Sequence, residues 1–306
     1  RAAGELRISY YYLGKEHKKI LPISFDIQNR NAMTWDDDRK AAAFVTAKDP
    51  LILGYARTVT SIVRSDSKMP AVSPEFRIGL ALFETLKLQG LGYAVDPATP
   101  FSDYSSNEDA IDFLQFPVQT LAWKAGDCDD LSVLYAALLE AAGVEAALLT
   151  TPGHIFVAFN SGLSEHIARR MFARDEDWIG YKGTAWIPVE VTMVKDGFQA
   201  AWTAAGIEWA SARESGQAGF IPLHEAWAVY EPVGFAQPGA PIVQPGTAEI
   251  ERVYRNEMER LARHASGRRA AMIKEAAEAI REEENSDNSL GVLLSRWGLI
   301  AEARVA

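Results

Sequence analysis

The chain has 306 residues, 48% hydrophobic and 24% charged, a composition typical of globular domains with a hydrophobic core. Its 31 basic and 41 acidic residues give a net charge of −10, which disfavours nucleic acid as a partner. The single cysteine excludes an internal disulfide and a cysteine-rich zinc site. No stretch reaches the roughly 18 uncharged apolar residues of a membrane span. Because the chain starts at Arg1 without an initiator Met, we expect it to be part of a longer protein.

Two alternating segments near the N-terminus predict a β-hairpin. Residues 5–12 and 20–28 alternate polar and apolar side chains, and Gly14-Lys15 supplies a turn between them. An isolated hairpin is marginal in water, so we expect the segment 1–48 to complete a sheet or to end an upstream β domain. Three adjacent aspartates at 36–38 favour a helix start over a cation site.

Two helices and an aromatic connection follow. Residues 49–64 and 74–89 have the pattern of amphipathic helices. The connection 91–118 combines Gly and Pro with aromatic residues, which makes it a candidate wall of a substrate cleft. An ordinary packed connection is the alternative. The aromatic residues selected as cleft candidates are Tyr93, Tyr104 and Phe116.

The clearest helical pattern begins at the only cysteine. Asp127 is a suitable N-cap and Gly143 a suitable C-terminal stop. Cys128 lies three residues before Leu131 and therefore on the same inward face. The buried stripe consists of Leu131, Leu134, Tyr135, Leu138, Leu139 and Ala142.

The rest of the chain predicts an α+β fold. Apolar segments at 144–151, 154–160 and 185–192 predict antiparallel strands packed on that helix. Aromatic residues between 197 and 233 indicate helices that close the domain. The predicted division is a core at 49–235, a Pro- and Gly-rich linker at 236–246, and a largely solvated helical extension at 247–306 that is broken near Ser266-Gly267.

Cys128, His154 and Glu190 are the candidate catalytic residues. A thiol attacks carbonyl carbon as thiolate, which a helix N-terminus and a nearby imidazole both stabilise. Glu190 lies on an otherwise apolar strand, where a carboxylate costs free energy without a partner, so we expect it to orient the imidazole. Each residue alone has a structural alternative, and Asp129 and Asp130 oppose a thiolate by like charge.

The sequence resembles the transglutaminase-like superfamily on these residues. Residues 126–132, with Leu138, Leu139 and Gly143, resemble its nucleophile helix. Residues 152–157 (Pro-Gly-His-Ile-Phe-Val) resemble its histidine strand. Residues 186–192 (Trp-Ile-Pro-Val-Glu-Val-Thr) resemble the strand of its third residue, with Glu190 where most members have Asp.

The resemblance, over about residues 74–233, implies a papain-like core and thiol acyl transfer on a protein or peptide substrate. The implied enzyme is a cysteine peptidase, an amidase or a cross-linking transglutaminase, with no required metal or cofactor. It favours an exported, periplasmic bacterial protein, with a cytoplasmic location as the alternative. The backbone N–H of Cys128 is one expected oxyanion donor, and Gln119 or Trp123 is the candidate for the second, beside Asp127 at the cleft.

Two further points stay open. Residues 288–299, with Ala301 and Ala303, resemble the first helix of a tetratricopeptide repeat, which would offer a surface for a protein partner. The alternative function is a binding or scaffold module that keeps the fold but has little or no turnover. Within the enzyme hypothesis, hydrolysis and transamidation are both compatible with the residues.

Overall fold

A computed structural model describes residues 1–66, 72–95, 111–172, 174–234, 242–279 and 291–292. The chain divides into two compact units, residues 1–32 and residues 33–306. The division falls at residue 32 rather than at the predicted 48, and the described part of the C-terminal extension belongs to the second unit. No helix among the described residues has the length and apolar character needed to cross a membrane.

The first unit is the predicted hairpin. Strands β1 (Ala2–Tyr12) and β2 (Lys15–Phe25) pair antiparallel without a register shift. Leu13 and Gly14 form the turn, with φ of 50° and 76°. Two successive residues with positive φ match the right-handed twist of paired strands, so this two-residue turn sets the register.

The remaining elements are short pairing strands, one larger sheet and eight helices within the described residues. The strands are β3 (Ala32–Met33), β4 (Gly92–Tyr93), β5 (Asp112–Phe113), β6 (Ala125–Gly126), β7 (Ala146–Thr151), β8 (His154–Ser164), β9 (Ile179–Tyr181), β10 (Thr184–Val189) and β11 (Gly219–Pro222). The helices are α1 (Pro50–Ser65), α2 (Pro74–Gln89), α3 (Pro117–Trp123), α4 (Cys128–Ala141), α5 (Glu165–Met171), α6 (Phe198–Glu214), α7 (Leu223–Ala226) and α8 (Thr247–Ala279).

The larger sheet is antiparallel, with strand order β11-β7-β8-β10-β9, and it confirms the prediction of a mixed helix-and-sheet fold. Alternate residues of β8 enter two different cores. Val157 joins the core that contains the apolar stripe of α4, whereas Phe156 and Ala158 join a second core with Ala205 and Trp209 of α6. Helix α4 therefore covers one face of the sheet and α6 the other.

Helix α2 approaches the sheet closely at Gly79. A Cβ atom at this position would lie 2.5 Å from the ring of Phe159 on β8. The Gly79 carbonyl also accepts a hydrogen bond of 2.9 Å from the buried Tyr135 hydroxyl of α4. A glycine at this point lets α2 contact both the strand and the cysteine helix, so that α2 packs against α4 from a second side.

The start of α6 is held by carboxylates from two other helices. Glu84 of α2 accepts the Phe198 N–H at 2.7 Å, and Glu257 of α8 accepts the Gln199 N–H at 3.1 Å. Acidic groups are stabilising at this end of a helix because its first N–H groups lack intrahelical acceptors. These bonds anchor α6, which carries residues near the candidate site.

Several sequence predictions need correction. The third predicted strand ends at Val189, and residues Val191–Met193 form a 3-10 helix. The region 197–233 contains strand β11 as well as helices. Helix α8 runs through Ser266-Gly267 without a break, and one face of its first turns is not solvated, since Ile250, Tyr254 and Met258 are buried in the main core. The aspartates at 36–38 do start a helix, a 3-10 helix at Asp38–Phe44.

Two predicted segments fall largely outside the described residues. Of the linker 236–246, the structure describes only 242–246. Of the repeat-like segment, it describes only residues 291–292. The linker and the tetratricopeptide resemblance therefore stay predictions.

Candidate active site

Cys128 is the first residue of α4, and only 4% of it is exposed. The chain enters this helix through Gly126, where a Cβ atom would lie 2.5 Å from the Cβ of Asp130. Asp130 in turn accepts the N–H of Asp127 at 3.4 Å and the N–H of Gln115 at 2.7 Å. These bonds tie the segment before the helix to its first turn and thereby fix where the cysteine lies.

His154 opens strand β8, directly after a turn in which Gly153 has a φ of 70°. Its ring stacks on Phe156, with ring centroids 5.7 Å apart and planes inclined by 23°. Its Cα lies opposite Thr151 of β7. The imidazole lies near enough to the Cys128 sulfur for the two groups to interact. The structure thus brings the predicted nucleophile and the predicted base together at the end of the sheet.

Glu190 lies just past the end of β10 and caps the 3-10 helix that follows. Its Oε1 accepts the N–H of Thr192 at 3.0 Å and also the Thr192 hydroxyl. Its Oε2 lies 2.5 Å from Nε2 of His154. Its own N–H donates to the Ala201 carbonyl of α6 at 3.1 Å. One carboxylate therefore caps a helix and reaches the imidazole, a span for which the longer side chain of Glu is suited.

The charges of this group support one another. Burial lowers the pKa of His154, but hydrogen bonds to Cys128 and Glu190 and their negative charges outweigh burial and raise it to about 10. Burial raises the pKa of Glu190, whereas the bonds from His154 and Thr192 outweigh burial and hold it below its usual value. Near neutral pH the imidazolium and the carboxylate form an ion pair. Since Nε2 faces Glu190, Nδ1 is the ring nitrogen available to the thiol.

The acidic residues beside the cysteine oppose a thiolate less than the sequence suggests. Burial, followed by the charge of Asp127, raises the pKa of Asp130 to about 8. Burial, followed by the nearby Asp127 carboxyl, also raises the pKa of Asp129 well above its usual value. Both shifts favour the protonated acid, and a neutral acid does not repel a thiolate.

Tyr93 is the predicted cleft residue that the structure places at the site. Strand β4 pairs parallel with β6, so Tyr93 lies opposite Gly126. Burial raises the pKa of the Tyr93 hydroxyl, and the negative charges of Cys128 and Glu190 raise it further. The side chain is 47% exposed and therefore accessible to a bound molecule.

The other cleft and oxyanion candidates differ in position. Phe116 is fully buried and packs on Phe44 at 5.1 Å between ring centroids, so its prediction as a cleft wall is wrong and its role is in the core. The amide oxygen of Gln119 accepts the Phe116 N–H at 2.8 Å. Trp123 ends α3 and is 54% exposed. Tyr104 lies outside the described residues.

Glu208 of α6 also lies at the site, although it was not among the predicted site residues. One of its carboxylate oxygens, a ring nitrogen of His154 and a carboxylate oxygen of Glu190 lie within 4.8 Å of one another. The sequence did contain a signal. The inward stripe of α6 includes Ala201, Ala205 and Trp209, and Glu208 is an acid placed on that stripe.

Among the described residues, two groups of side chains lie close enough together to share a cation. They are His154, Glu190 and Glu208, and the three aspartates 127, 129 and 130. A cation in the first group would have to break the bond between His154 and Glu190, and in the second it would have to enter a site buried from solvent. In neither group does the arrangement favour a metal ion over the hydrogen bonds that the residues already make.

Comparisons of the chain with protein-family models, with curated proteins and with solved structures found no match. The chemistry of the site therefore has to be judged from its geometry. A thiol at a helix N-terminus, near an imidazole that a carboxylate holds in place, has the parts needed for nucleophilic attack on a carbonyl group.

Proposed function

We propose that this protein is a thiol-dependent acyl transferase of the transglutaminase-like superfamily, with a papain-like core, that acts on amide bonds of a protein or peptide. The observation that carries the proposal is the position of His154, which lies near Cys128 and is hydrogen-bonded to Glu190. A buried cysteine that served packing alone would need neither a charged imidazole nor a buried carboxylate beside it, since burying such groups is costly.

The reaction proceeds in two stages. The Cys128 thiolate attacks the amide carbon, and the first-turn N–H groups of α4 stabilise the oxyanion. His154 gives its proton to the leaving amine as the carbon–nitrogen bond breaks, which leaves a thioester. Water or an amine then attacks the thioester, His154 takes its proton, and the carbon–sulfur bond breaks to restore the thiolate beside the imidazolium. Glu190 keeps Nε2 protonated throughout, so that Nδ1 remains the working nitrogen.

The second candidate function is a binding or scaffold module with little turnover. The observation that favours it is the burial of Cys128, which is 4% exposed. A scaffold of this kind would keep the fold and bind peptide segments, but its thiol would react slowly with small alkylating agents.

Alkylation of the only cysteine separates the two functions. An ordinary thiol of pKa about 8.5 is only about 3% ionised at pH 7, so a fully ionised thiol would have about 30-fold more thiolate. Lower intrinsic nucleophilicity reduces this advantage to about tenfold. We therefore expect iodoacetamide to label the protein at least about tenfold faster than the His154→Ala variant at pH 7.

His166→Ala is the matched control, because His166 is exposed and lies on α5. It should label at the wild-type rate. Equal rates in the wild type and in His154→Ala would refute the enzyme proposal. Slow labelling of both, together with peptide binding, would establish the scaffold instead.

A further inference from the structure

Glu208 approaches the imidazole from the opposite side of the sheet to the cysteine. It lies on α6, which covers the sheet face opposite α4, and it is partly buried. Its Oε1 accepts a hydrogen bond of 2.7 Å from the hydroxyl of Thr151. Thr151 is the residue whose Cα pairs with that of His154 between β7 and β8. The pair of Thr151 and Glu208 is therefore placed directly beside the base.

Charged or titratable groups from several elements lie around the site. Helix α4 contributes Cys128, with Asp127 and Asp129 near it, and β4 contributes Tyr93. The segment after β10 contributes Glu190, and α6 contributes Glu208 within 4.8 Å of a ring nitrogen and of the Glu190 carboxylate. Two carboxylates thus face one imidazolium. The second carboxylate lies close enough for a substantial electrostatic attraction.

A purely structural role does not account for the position of Glu208. Helix α6 is already attached to the sheet through Ala205 and Trp209, and its first turn is held by two buried carboxylates. One more hydrogen bond from Thr151 adds little to that attachment. An acid on the inward stripe of a helix also costs free energy unless a positive charge lies near it. The nearby positive charge is the imidazolium of His154.

We propose that Glu208 is a second positioning residue for His154. Held by Thr151, its carboxylate favours the imidazolium and keeps the ring between Cys128 and Glu190. This inference rests on the proposed function in that it assigns His154 the role of the base. It adds a fourth residue, from the other face of the sheet, to the group that controls the thiol.

The experiment compares Glu208→Gln with Glu214→Gln, a substitution at an exposed position of the same helix. The first readout is the NMR titration of the His154 ring, assigned with His154→Ala. A unit charge about 5 Å away at an effective dielectric constant near 40 changes a pKa by about one pH unit. Glu208→Gln should therefore lower the titration midpoint of His154 by about one pH unit, whereas Glu214→Gln should leave it unchanged.

The second readout is the pH profile of labelling with iodoacetate, an anion whose approach to the thiolate the imidazolium favours. Its labelling rate should fall as His154 loses its proton at high pH, and this fall should occur at a lower pH in Glu208→Gln, by an amount similar to the change in the midpoint. Glu208→Asp keeps the negative charge, so its His154 midpoint should lie between those of Glu208→Gln and the wild type. Thr151→Val keeps the Glu208 carboxylate but removes its hydrogen bond from Thr151, so the His154 midpoint should fall by less than in Glu208→Gln.

The outcomes separate this inference from the proposed function. If Glu208→Gln matches the wild type in both readouts, the inference is overturned whatever the activity. If wild-type labelling does not depend on His154, the proposed function fails, while the titration midpoint still decides whether Glu208 acts on the imidazole. If Glu208→Gln lowers only the melting temperature and leaves the midpoint unchanged, Glu208 has a structural role and the inference is wrong.

Discussion

Replacing Glu190 by Gln removes one charge and keeps the shape of the side chain. Glu190 accepts two hydrogen bonds from Thr192 at Oε1 and faces His154 Nε2 at 2.5 Å through Oε2. A glutamine cannot satisfy both sides. If its oxygen stays with Thr192, its NH₂ group faces Nε2 and forces the neutral tautomer with the proton on Nδ1. If the amide turns over, its NH₂ group opposes the Thr192 N–H.

The size of the effect follows from the pKa of His154. Its increase from 6.5 to about 10 is about 3.5 pH units, or about 5 kcal/mol at 1.36 kcal/mol per unit. Cys128 and Glu190 both contribute to this increase. Because removing one partner of a buried ion pair costs about 3–5 kcal/mol, we expect Glu190→Gln to lose about 3 kcal/mol. That value is at the lower end for breaking a buried ion pair, as expected for an imidazole that is 25% exposed.

The sign of the pH dependence distinguishes this pair from simple packing. The raised pKa of His154 contributes stability that is complete below pH 6.5 and lost as the pH rises through about 10. The lowered pKa of Glu190 contributes stability above its usual value of 4.5, lost as the pH falls. Glu190→Gln should therefore be most destabilising between about pH 4.5 and 6.5, and much less so at pH 10.

Urea unfolding of the wild type and of Glu190→Gln at pH 6 and at pH 10 measures this difference, and NMR titration of His154 measures its midpoint. Glu225→Gln is the control, since it removes a surface partner of Lys182 and should alter stability little. A loss of stability that is equal at both pH values, or an unchanged His154 midpoint, would contradict the assignment of an ion pair.

Two further substitutions test the surroundings of the cysteine. Asp129→Asn should stabilise the protein more at pH 8 than at pH 5 in thermal unfolding, because burial disfavours ionisation of this carboxyl and the asparagine resembles its protonated form; equal stabilisation at both pH values would show that Asp129 is ionised throughout. Gly126→Ala should destabilise by about 1–3 kcal/mol and slow Cys128 labelling, because its Cβ meets that of Asp130. Gly54→Ala on α1 has open space around the new Cβ and should be neutral or stabilising; the same loss in both variants would refute the crowding at Gly126.

The cysteine helix and the strands were predictable because their signals are local. The stripe that begins at Leu131 has a period of 3.6 residues, and the turn at Pro152-Gly153 separates two apolar runs. Both features depend on neighbours within a few residues. The end of β10 was harder to place, because Val191 is as apolar as Val189, and the break comes from the cap that Glu190 makes with Thr192.

Contacts between distant segments were not predictable in the same way. Phe116 looked like a cleft aromatic, but its partner Phe44 lies far away in the chain and takes it into the core. Helix α8 looked polar, yet three of its side chains fill a core made by other elements. Solvation of a helix depends on what the rest of the fold places against it, which its own composition does not contain.

The sequence alone determined which residues have the chemistry for thiol catalysis and which of them begin a helix or a strand. Local hydrogen bonding and side-chain periodicity are sufficient for that. Only the tertiary structure decided that Cys128, His154 and Glu190 meet, that burial raises the pKa of Asp129 and Asp130, and that Glu208 approaches from the opposite face. Those outcomes depend on distances and desolvation between segments far apart in the chain, which exist only once the sheet and its two covering helices are packed.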